Sequence, residues 1–105
     1  MNDQLPLEQA FAEADAAILQ AAENADQAWA DLAFNLLCDW LRTYPTWFCD
    51  DFWSVCPEPR EGRALGAVVR RASRAGLMVQ SGDYKPSVRS HGTVKPVWRS
   101  ECYRP

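Results

Sequence analysis

The sequence REGRALGAVVRRASRA, residues 60–75, decides the fold of this chain. Its spacing predicts a helix that ends at Gly76, because glycine is the usual residue just past a helix C-terminus. At 100° per residue, five basic positions fall within about 100° of arc: Arg60, Arg63, Arg70, Arg71 and Arg74. The opposite side of the same helix carries Leu65, Val68, Val69 and Ala72. One face is therefore suited to burial and the other is basic.

The basic helix belongs to a basic half of the chain. Residues 1–56 hold ten acidic residues and one basic residue, Arg42, a net charge of −9. Residues 57–105 hold ten basic and four acidic residues, a net charge of +6. A basic segment of this kind is typical of surfaces that bind nucleic-acid phosphates, and the arginine fork also fits a guanine edge. The alternative is that the arginines pair with acids from the first half of the chain.

Upstream of the basic helix, apolar residues recur at helical spacing. They predict a first helix over residues 6–23 and a second helix over residues 26–43. The polar residues 23–26 predict a break between the two helices, with Asp26 as the N-cap of the second. The second helix is expected to end at Tyr44, because the residue before a proline is disfavoured in the α conformation.

Residues 46–55 predict a short third helix, capped by Thr46 and carrying Asp50 and Asp51 in its early turns. Residues 57–59, Pro-Glu-Pro, then form a rigid link to the basic helix. Trp29, Trp40 and Trp98 are expected in the core. Trp47 and Trp53 are less clearly core residues, and an exposed tryptophan would mark a protein interface.

Downstream of the basic helix, the sequence predicts a β-hairpin. Residues 77–80 and 94–99 have the pattern of short strands, and residues 81–93 have the composition of a loop. Pro96 is expected to confine its strand to a sheet edge or to lie at the irregular start of the strand. The last six residues, from Ser100, are expected to fray. The fold class is therefore mostly α with a small β-hairpin.

The remaining composition excludes several classes of function. No apolar run approaches the roughly 20 residues that span a bilayer, and residues 1–4 do not resemble a signal peptide, so we expect a cytoplasmic protein with no membrane association. The four cysteines contain no CxxC pair, so Cys38, Cys49 and Cys56 are interpreted as small buried apolar groups, although a zinc site that includes His91 is conceivable. The chain has one histidine, no nucleophile elbow and no phosphate-cradling loop. We therefore expect no enzyme, no cofactor and no metal.

The order of helices and strands resembles the winged helix-turn-helix family over about residues 27–99. In this comparison residues 26–43 are the first core helix, residues 46–55 the first helix of the helix-turn-helix, and residues 60–75 the recognition helix. The wing is the predicted hairpin with its tip at residues 81–93. The segments Arg63-Ala64-Leu65-Gly66-Ala67-Val68, Ala75-Gly76-Leu77, His91-Gly92 and Val97-Trp98-Arg99 look like those of small, uncharacterised winged-helix proteins of actinobacterial phages and their hosts.

The resemblance implies a DNA-binding surface. The recognition helix would enter the major groove of double-stranded DNA. Arg63, Ala67, Arg70 and Arg74 would face the groove, and Arg60 and Arg71 would reach phosphates. The wing would lie along the backbone or reach a minor groove through its basic residues, namely Lys85, Arg89, His91 and Lys95. Ser87, Ser90 and Thr93 would add hydrogen bonds to phosphates. Alternatively, the wing is simply a basic solvated loop.

The acidic N-terminal part has several open interpretations. Residues 1–24 form an acidic helical extension outside the winged helix-turn-helix domain of residues 25–105, and the extension could mediate a homodimer. It could instead bind a basic host protein, or cover the basic face of its own chain. The leading hypothesis is a phage-type transcriptional regulator or a replication or recombination accessory factor, associated with the nucleoid. The alternative is a winged-helix module that binds a host protein and little DNA.

Overall fold

A computed structural model describes the backbone of residues 7–105 and the side chains of residues 14–105. It contains three helices and three strands within this range. In chain order they are α1 (Leu7–Thr43), β1 (Thr46–Trp47), α2 (Cys49–Phe52), α3 (Ala64–Arg74), β2 (Met78–Pro86) and β3 (Val94–Ser100). The expected mixture of α-helix with a small amount of β-sheet is confirmed.

Helix α1 is continuous over 37 residues, so the predicted break at residues 23–26 is wrong. The segment has no glycine or proline, and its polar side chains find partners on the helix surface. The Gln20 side-chain amide donates to Asn24 Oδ1 at 3.0 Å, and Asp26 accepts from Arg60. The expected boundary between residues 24 and 25 therefore falls inside one helix, and residues 1–6 of the expected extension lie outside the described range.

The predicted helix over residues 46–55 is mostly wrong. Thr46 and Trp47 form β1 and pair with Arg99 and Trp98, respectively. Helix α2 covers only Cys49–Phe52 and follows an extended Phe48. Aromatic residues favour strands where a partner strand can cover them, and β3 provides that partner. Thr46 is accordingly a strand residue and not a helix cap.

Helix α3 is shorter than predicted, because residues 60–63 lie outside it. Gly62 favours this late start, since glycine weakens a helix by about 1 kcal/mol relative to alanine. The predicted end of the helix is confirmed. Gly76 has a φ of 75° and donates its N–H to Ser73 O, and the Leu77 N–H returns to Ala72 O. Glycine reaches this left-handed conformation without steric cost.

The three strands form one antiparallel sheet in the order β1-β3-β2. Strand β2 extends to Pro86, with an irregularity between Gln80 and Tyr84, so the tip of the hairpin is residues 87–93. The expected placement of Pro96 is met only in part, because β3 is the central strand of the sheet. Strand β1 pairs only with Trp98 and Arg99, however, so Pro96 faces no neighbouring strand on that side.

The core lies where α1, α2, α3 and the sheet meet. Its fully or nearly fully buried members are Ala33, Leu37, Leu41, Trp47, Phe52, Cys56, Leu65, Val68, Ala72 and Met78. Trp47 is 2% exposed. The three tryptophans expected in the core pack against its surface but are only partly buried, namely Trp29, Trp40 and Trp98. The chain end does not fray at once after Ser100. The Glu101 N–H donates to Leu77 O, and Cys102 packs against the core.

The N-terminal part of α1 extends away from this core. We call residues 14–28 the arm. Every side chain from Ala14 to Ala21 is exposed, and contacts with the core begin at Trp29. The indole N–H of Trp29 donates to Pro57 O at 2.7 Å, which fixes the point where α1 joins the domain. Among residues 7–105, no helix combines the length and the apolar character that crossing a membrane requires.

Candidate nucleic-acid interface

Three arginines share the outer side of α3, and we call Arg63, Arg70 and Arg74 the arginine face. At 100° per residue they fall within about 40° of arc, directly opposite the buried side of the helix. That buried side consists of Leu65, Val68 and Ala72. Arg63 is the residue that precedes the first turn, and all three arginines are exposed. Helix α3 contains no acidic residue, and these arginines make no ion pair with any described residue.

The other two arginines of the predicted basic stripe turn toward α1. Arg60 donates from Nη2 and Nε to the two carboxylate oxygens of Asp26, at 2.7 and 3.2 Å. This pairing lowers the pKa of Asp26. The guanidinium of Arg71 lies 3.8 Å from the ring centroid of Phe34 and 3.7 Å from Asp31. Arg60 and Arg71 therefore pair with acidic residues of the first half of the chain, whereas the arginine face is left open.

The basic residues of the hairpin have different surroundings. Lys85 lies over the Phe48 ring at 4.7 Å. Arg89 lies over the Trp53 ring at 4.7 Å and pairs with Glu58. His91, with a φ of 55°, is exposed at the tip. Lys95 is paired across the strands with Lys85 and lines the space beside α3. The tip is thus held against residues 49–58 and is not the freely solvated loop that its composition suggests.

A carboxylate anchors the hairpin tip. Asp50 accepts the Ser87 hydroxyl at 2.6 Å through one oxygen and the Val88 N–H at 2.8 Å through the other. The hydrogen bond from Ser87 and that from the Val88 backbone lower the pKa of Asp50. Ser87 is 1% exposed, so the expected hydrogen bond from Ser87 to a phosphate is wrong. Sequence reasoning missed this anchor, because its partners are 37 residues apart.

We predict that Asp50→Asn releases the hairpin tip. The new amide cannot accept from both Ser87 and Val88, since one of its two terminal atoms is a donor. Losing a hydrogen bond to a charged acceptor costs about 2 kcal/mol, measurable by urea unfolding. Amide hydrogen exchange at Val88 should accelerate. The matched control is Asp51→Asn, which removes the same charge from an exposed neighbour and should leave both measurements unchanged.

The same anchor predicts a pH dependence. Because the folded protein holds the pKa of Asp50 below its ordinary value of 3.8, its stabilisation is fully present above that value. It is lost as the pH falls through the lowered pKa. The stability difference between the wild type and Asp50→Asn should therefore be constant from pH 5 to 7 and shrink below about pH 4. A difference that persists undiminished at pH 2 would contradict the assignment.

A cleft of about 610 Å³ separates α3 from the hairpin. We call it the hairpin cleft. Basic residues from both sides line it, Arg63 from the helix and Arg89 and Lys95 from the hairpin. Trp53 and Trp98 add aromatic walls. The cleft therefore lies between one end of the arginine face, at Arg63, and the hairpin, and its lining also includes the acidic residues Asp50 and Glu58. Neither tryptophan was expected at this site, since the sequence does not reveal that they share a cavity.

The cysteines do not assemble a metal site. Cys56 is buried, Cys38, Cys49 and Cys102 are partly buried, and all four are free thiols. Burial raises the pKa of the Cys56 thiol, which disfavours the thiolate that metals bind. Within the described part of the chain, no three His, Cys, Asp or Glu side chains are close enough to hold a metal ion together. The expected burial is therefore confirmed for Cys56, whereas Cys38 and Cys49 are only partly buried.

Comparison of the chain with protein-family models, with curated proteins and with solved structures returned no match. The candidate interface has three parts. It consists of an open arginine face on α3, a basic cleft beside that helix, and a hairpin whose tip is fixed by a buried serine and a carboxylate.

Proposed function

We propose that the protein is a small winged-helix protein that binds double-stranded DNA, with α3 in the major groove and the hairpin on the phosphate backbone. The element order helix, strand, helix, helix, hairpin supports this proposal, as does the sheet order β1-β3-β2, in which the strand after the first helix pairs with the last strand. In such an arrangement the third helix and the hairpin lie side by side and can contact DNA together.

The observation that carries the proposal is the open arginine face. An α-helix with its side chains is about 10–12 Å in diameter and fits the major groove, which is about 12 Å wide, and the 11 residues of α3 provide about 16 Å of length along it. Arg63, Arg70 and Arg74 project from it without an acidic neighbour on the helix. Ala67 and Gly66, exposed beside them, leave room for the DNA to approach closely. Such a surface can bind phosphates, and its arginines can also bind guanine edges.

The hairpin supplies the second part of the proposed interface. Lys95 and His91 are the hairpin residues best placed for phosphates, because neither makes an ion pair with any residue from 7 to 105. Arg60, Arg71 and Arg89 pair with acidic residues, and Lys85 lies over an aromatic ring. These four side chains therefore contribute mainly to the positive electrostatic potential around the proposed interface. The proposed role is that of a phage-type transcriptional regulator or a replication or recombination accessory factor, in the cytoplasm at the nucleoid.

Fluorescence anisotropy with labelled duplexes tests the proposal. We expect binding at roughly 50 mM salt, with log K falling linearly as log salt rises, at a slope of about −0.9 for each phosphate contact. Random-sequence and genomic duplexes measured side by side distinguish general from specific binding. Failure to bind any duplex at roughly 50 mM salt would reject DNA binding.

A second candidate function, protein interaction, rests on the arm. Ile18 and Leu19 are 69% and 61% exposed, and the face around Ile18 continues through alanines to Trp29. Most of the arm lies beyond the core, and an isolated helix segment is marginal in water, so a partner that covers this face would stabilise it. We propose that the partner is a second copy of the chain, since a two-fold pairing of arms brings together identical apolar stripes and two DNA-binding surfaces. A basic host protein is the other outcome.

We predict that Ile18→Glu disrupts this pairing. The wild-type chain should run as a dimer by light scattering at about 50 μM, and the variant as a monomer, because a charge would be buried in the apolar seam. Gln20→Glu adds the same charge on the opposite side of the helix and should remain dimeric. A monomeric wild type at this concentration would reject the dimer, and specific co-purification of the wild type, but not the variant, with a basic protein would favour a host partner.

A further inference from the structure

The hairpin cleft has the size and lining of a small-molecule site. Its volume of about 610 Å³ lies within the 300–1,000 Å³ typical of ligand pockets. Pro96 and Trp98, two residues apart on β3, project to the same side of the sheet and line it, with Trp53 across from them. Pockets for small molecules are usually apolar and aromatic, with a few polar groups. The two tryptophans supply the aromatic part.

Glycines keep the cleft open on the side of α3. Gly62 and Gly66 both line it, and a Cβ atom placed on either one would meet no atom within 4 Å. Neither residue has a positive φ, so backbone conformation does not demand glycine at these positions. Each glycine also weakens helix formation by about 1 kcal/mol relative to alanine. Their effect in this structure is to leave empty space where a side chain would lie.

The charges in the cleft favour an anion. Its two acidic residues are already engaged, Asp50 by Ser87 and Val88, and Glu58 by Arg89. Arg63 and Lys95 line the cleft from opposite sides without an ion-pair partner among the described residues. Two cations facing a shared space repel one another, and an anion placed between them relieves that repulsion.

We propose that the hairpin cleft binds a small aromatic anion of the size of a mononucleotide. Its ring would pack against Trp53 and Trp98, and its anionic group would lie between Arg63 and Lys95. The proposed site shares Arg63 and Lys95 with the proposed DNA interface, but ligand binding is measured without DNA, so failure of one proposal is distinguishable from failure of the other. The ring contributes contact area and the charged group contributes selectivity over neutral molecules.

Nuclear magnetic resonance of the five tryptophan indole N–H groups tests the proposal. Adenosine monophosphate should shift the signals of Trp53 and Trp98 with a Kd of roughly 0.1 mM, a value ordinary for a ligand of this size in a half-open site. Adenosine, which keeps the ring but lacks the anion, should bind at least tenfold more weakly. Inorganic phosphate, which lacks the ring, should give no shift of these two indoles at the same concentration.

Gly66→Leu provides the decisive variant. Leucine favours the helix and its Cβ meets no atom, so the variant should fold with an unchanged or raised Tm while its side chain fills the cleft. Binding of adenosine monophosphate should be lost, whereas the smaller Gly66→Ala should retain it. Undiminished binding in Gly66→Leu would place the ligand elsewhere, for example on the exposed arginines of α3. Equal binding of adenosine and its monophosphate, or no shift at about 5 mM, would overturn the proposal.

Discussion

Replacing Arg70 and Arg74 together with alanine is expected to weaken binding of duplex DNA about 200-fold at roughly 50 mM salt. Each phosphate contact carries a salt exponent of about 0.9, which corresponds to a factor of roughly 15 at this concentration, so two contacts account for the loss. The slope of log K against log salt should become shallower by about 1.8. Both side chains are exposed and make no ion pair with described residues, so the fold should be unaffected.

The matched control replaces Arg42 and Arg104 with alanine. This variant loses the same two charges, but Arg42 pairs with Asp39 at the end of α1 and Arg104 lies near the chain terminus. DNA affinity should fall by less than about threefold, through long-range attraction alone. Equal losses in the two double variants would show that net charge, and not the arginine face, sets the affinity. Unfolding of the Arg70 and Arg74 variant would instead make these arginines structural.

Features that depend on neighbouring residues could be predicted from the sequence. The opposed apolar and basic sides of α3 follow from helical periodicity within the helix itself. The stop at Gly76 follows from local backbone chemistry, and the hairpin follows from two short apolar runs flanking a polar loop. Each signal lies within one continuous stretch of sequence, the longest being residues 77–99, so the local sequence pattern contains it.

Features that depend on distant partners could not be predicted. The local sequence around Trp47 predicts a helix. Trp47 lies in β1 instead, because it pairs with Trp98 of β3, 51 positions later in the chain. The anchor between Asp50 and Ser87 and the pair between Asp26 and Arg60 also join residues more than 30 positions apart. The sequence offers charges and hydroxyls at these positions, but only the folded chain decides which of them meet.

In the folded chain, the acidic half neutralises only part of the basic half. Two acidic residues of α1, Asp26 and Asp31, neutralise one flank of the basic segment through Arg60 and Arg71. These pairs are exposed, so each contributes little to stability. Their larger effect is geometric, because they hold α1 against that flank while the arginine face points outward. The acids on the arm, from Asp15 to Glu23, lie on exposed helix beyond the core.

The second large effect is expected in the core, where Phe52→Ala should lower the free energy of unfolding by about 4 kcal/mol. Phe52 is completely buried. Its ring meets Trp47 edge-on, with centroids 5.5 Å apart, and Trp40 at 6.3 Å. The substitution removes both aromatic contacts and leaves a cavity between α1, β1 and α2. Urea unfolding measures the loss, and Val88→Ala, at a side chain 86% exposed, should change stability by less than about 0.5 kcal/mol.

The large loss of stability expected for Phe52→Ala follows from the shortness of α2. A helix of four residues cannot form by its own propensity, since even 12 residues are marginal in water. Packing of Phe52 is therefore what keeps α2 in place, and α2 carries Asp50, which anchors the hairpin tip. The variant should lose hydrogen-exchange protection at Val88 as well as global stability. A loss below about 1 kcal/mol would mean that α2 is held by other contacts, and that the hairpin is positioned independently of the core.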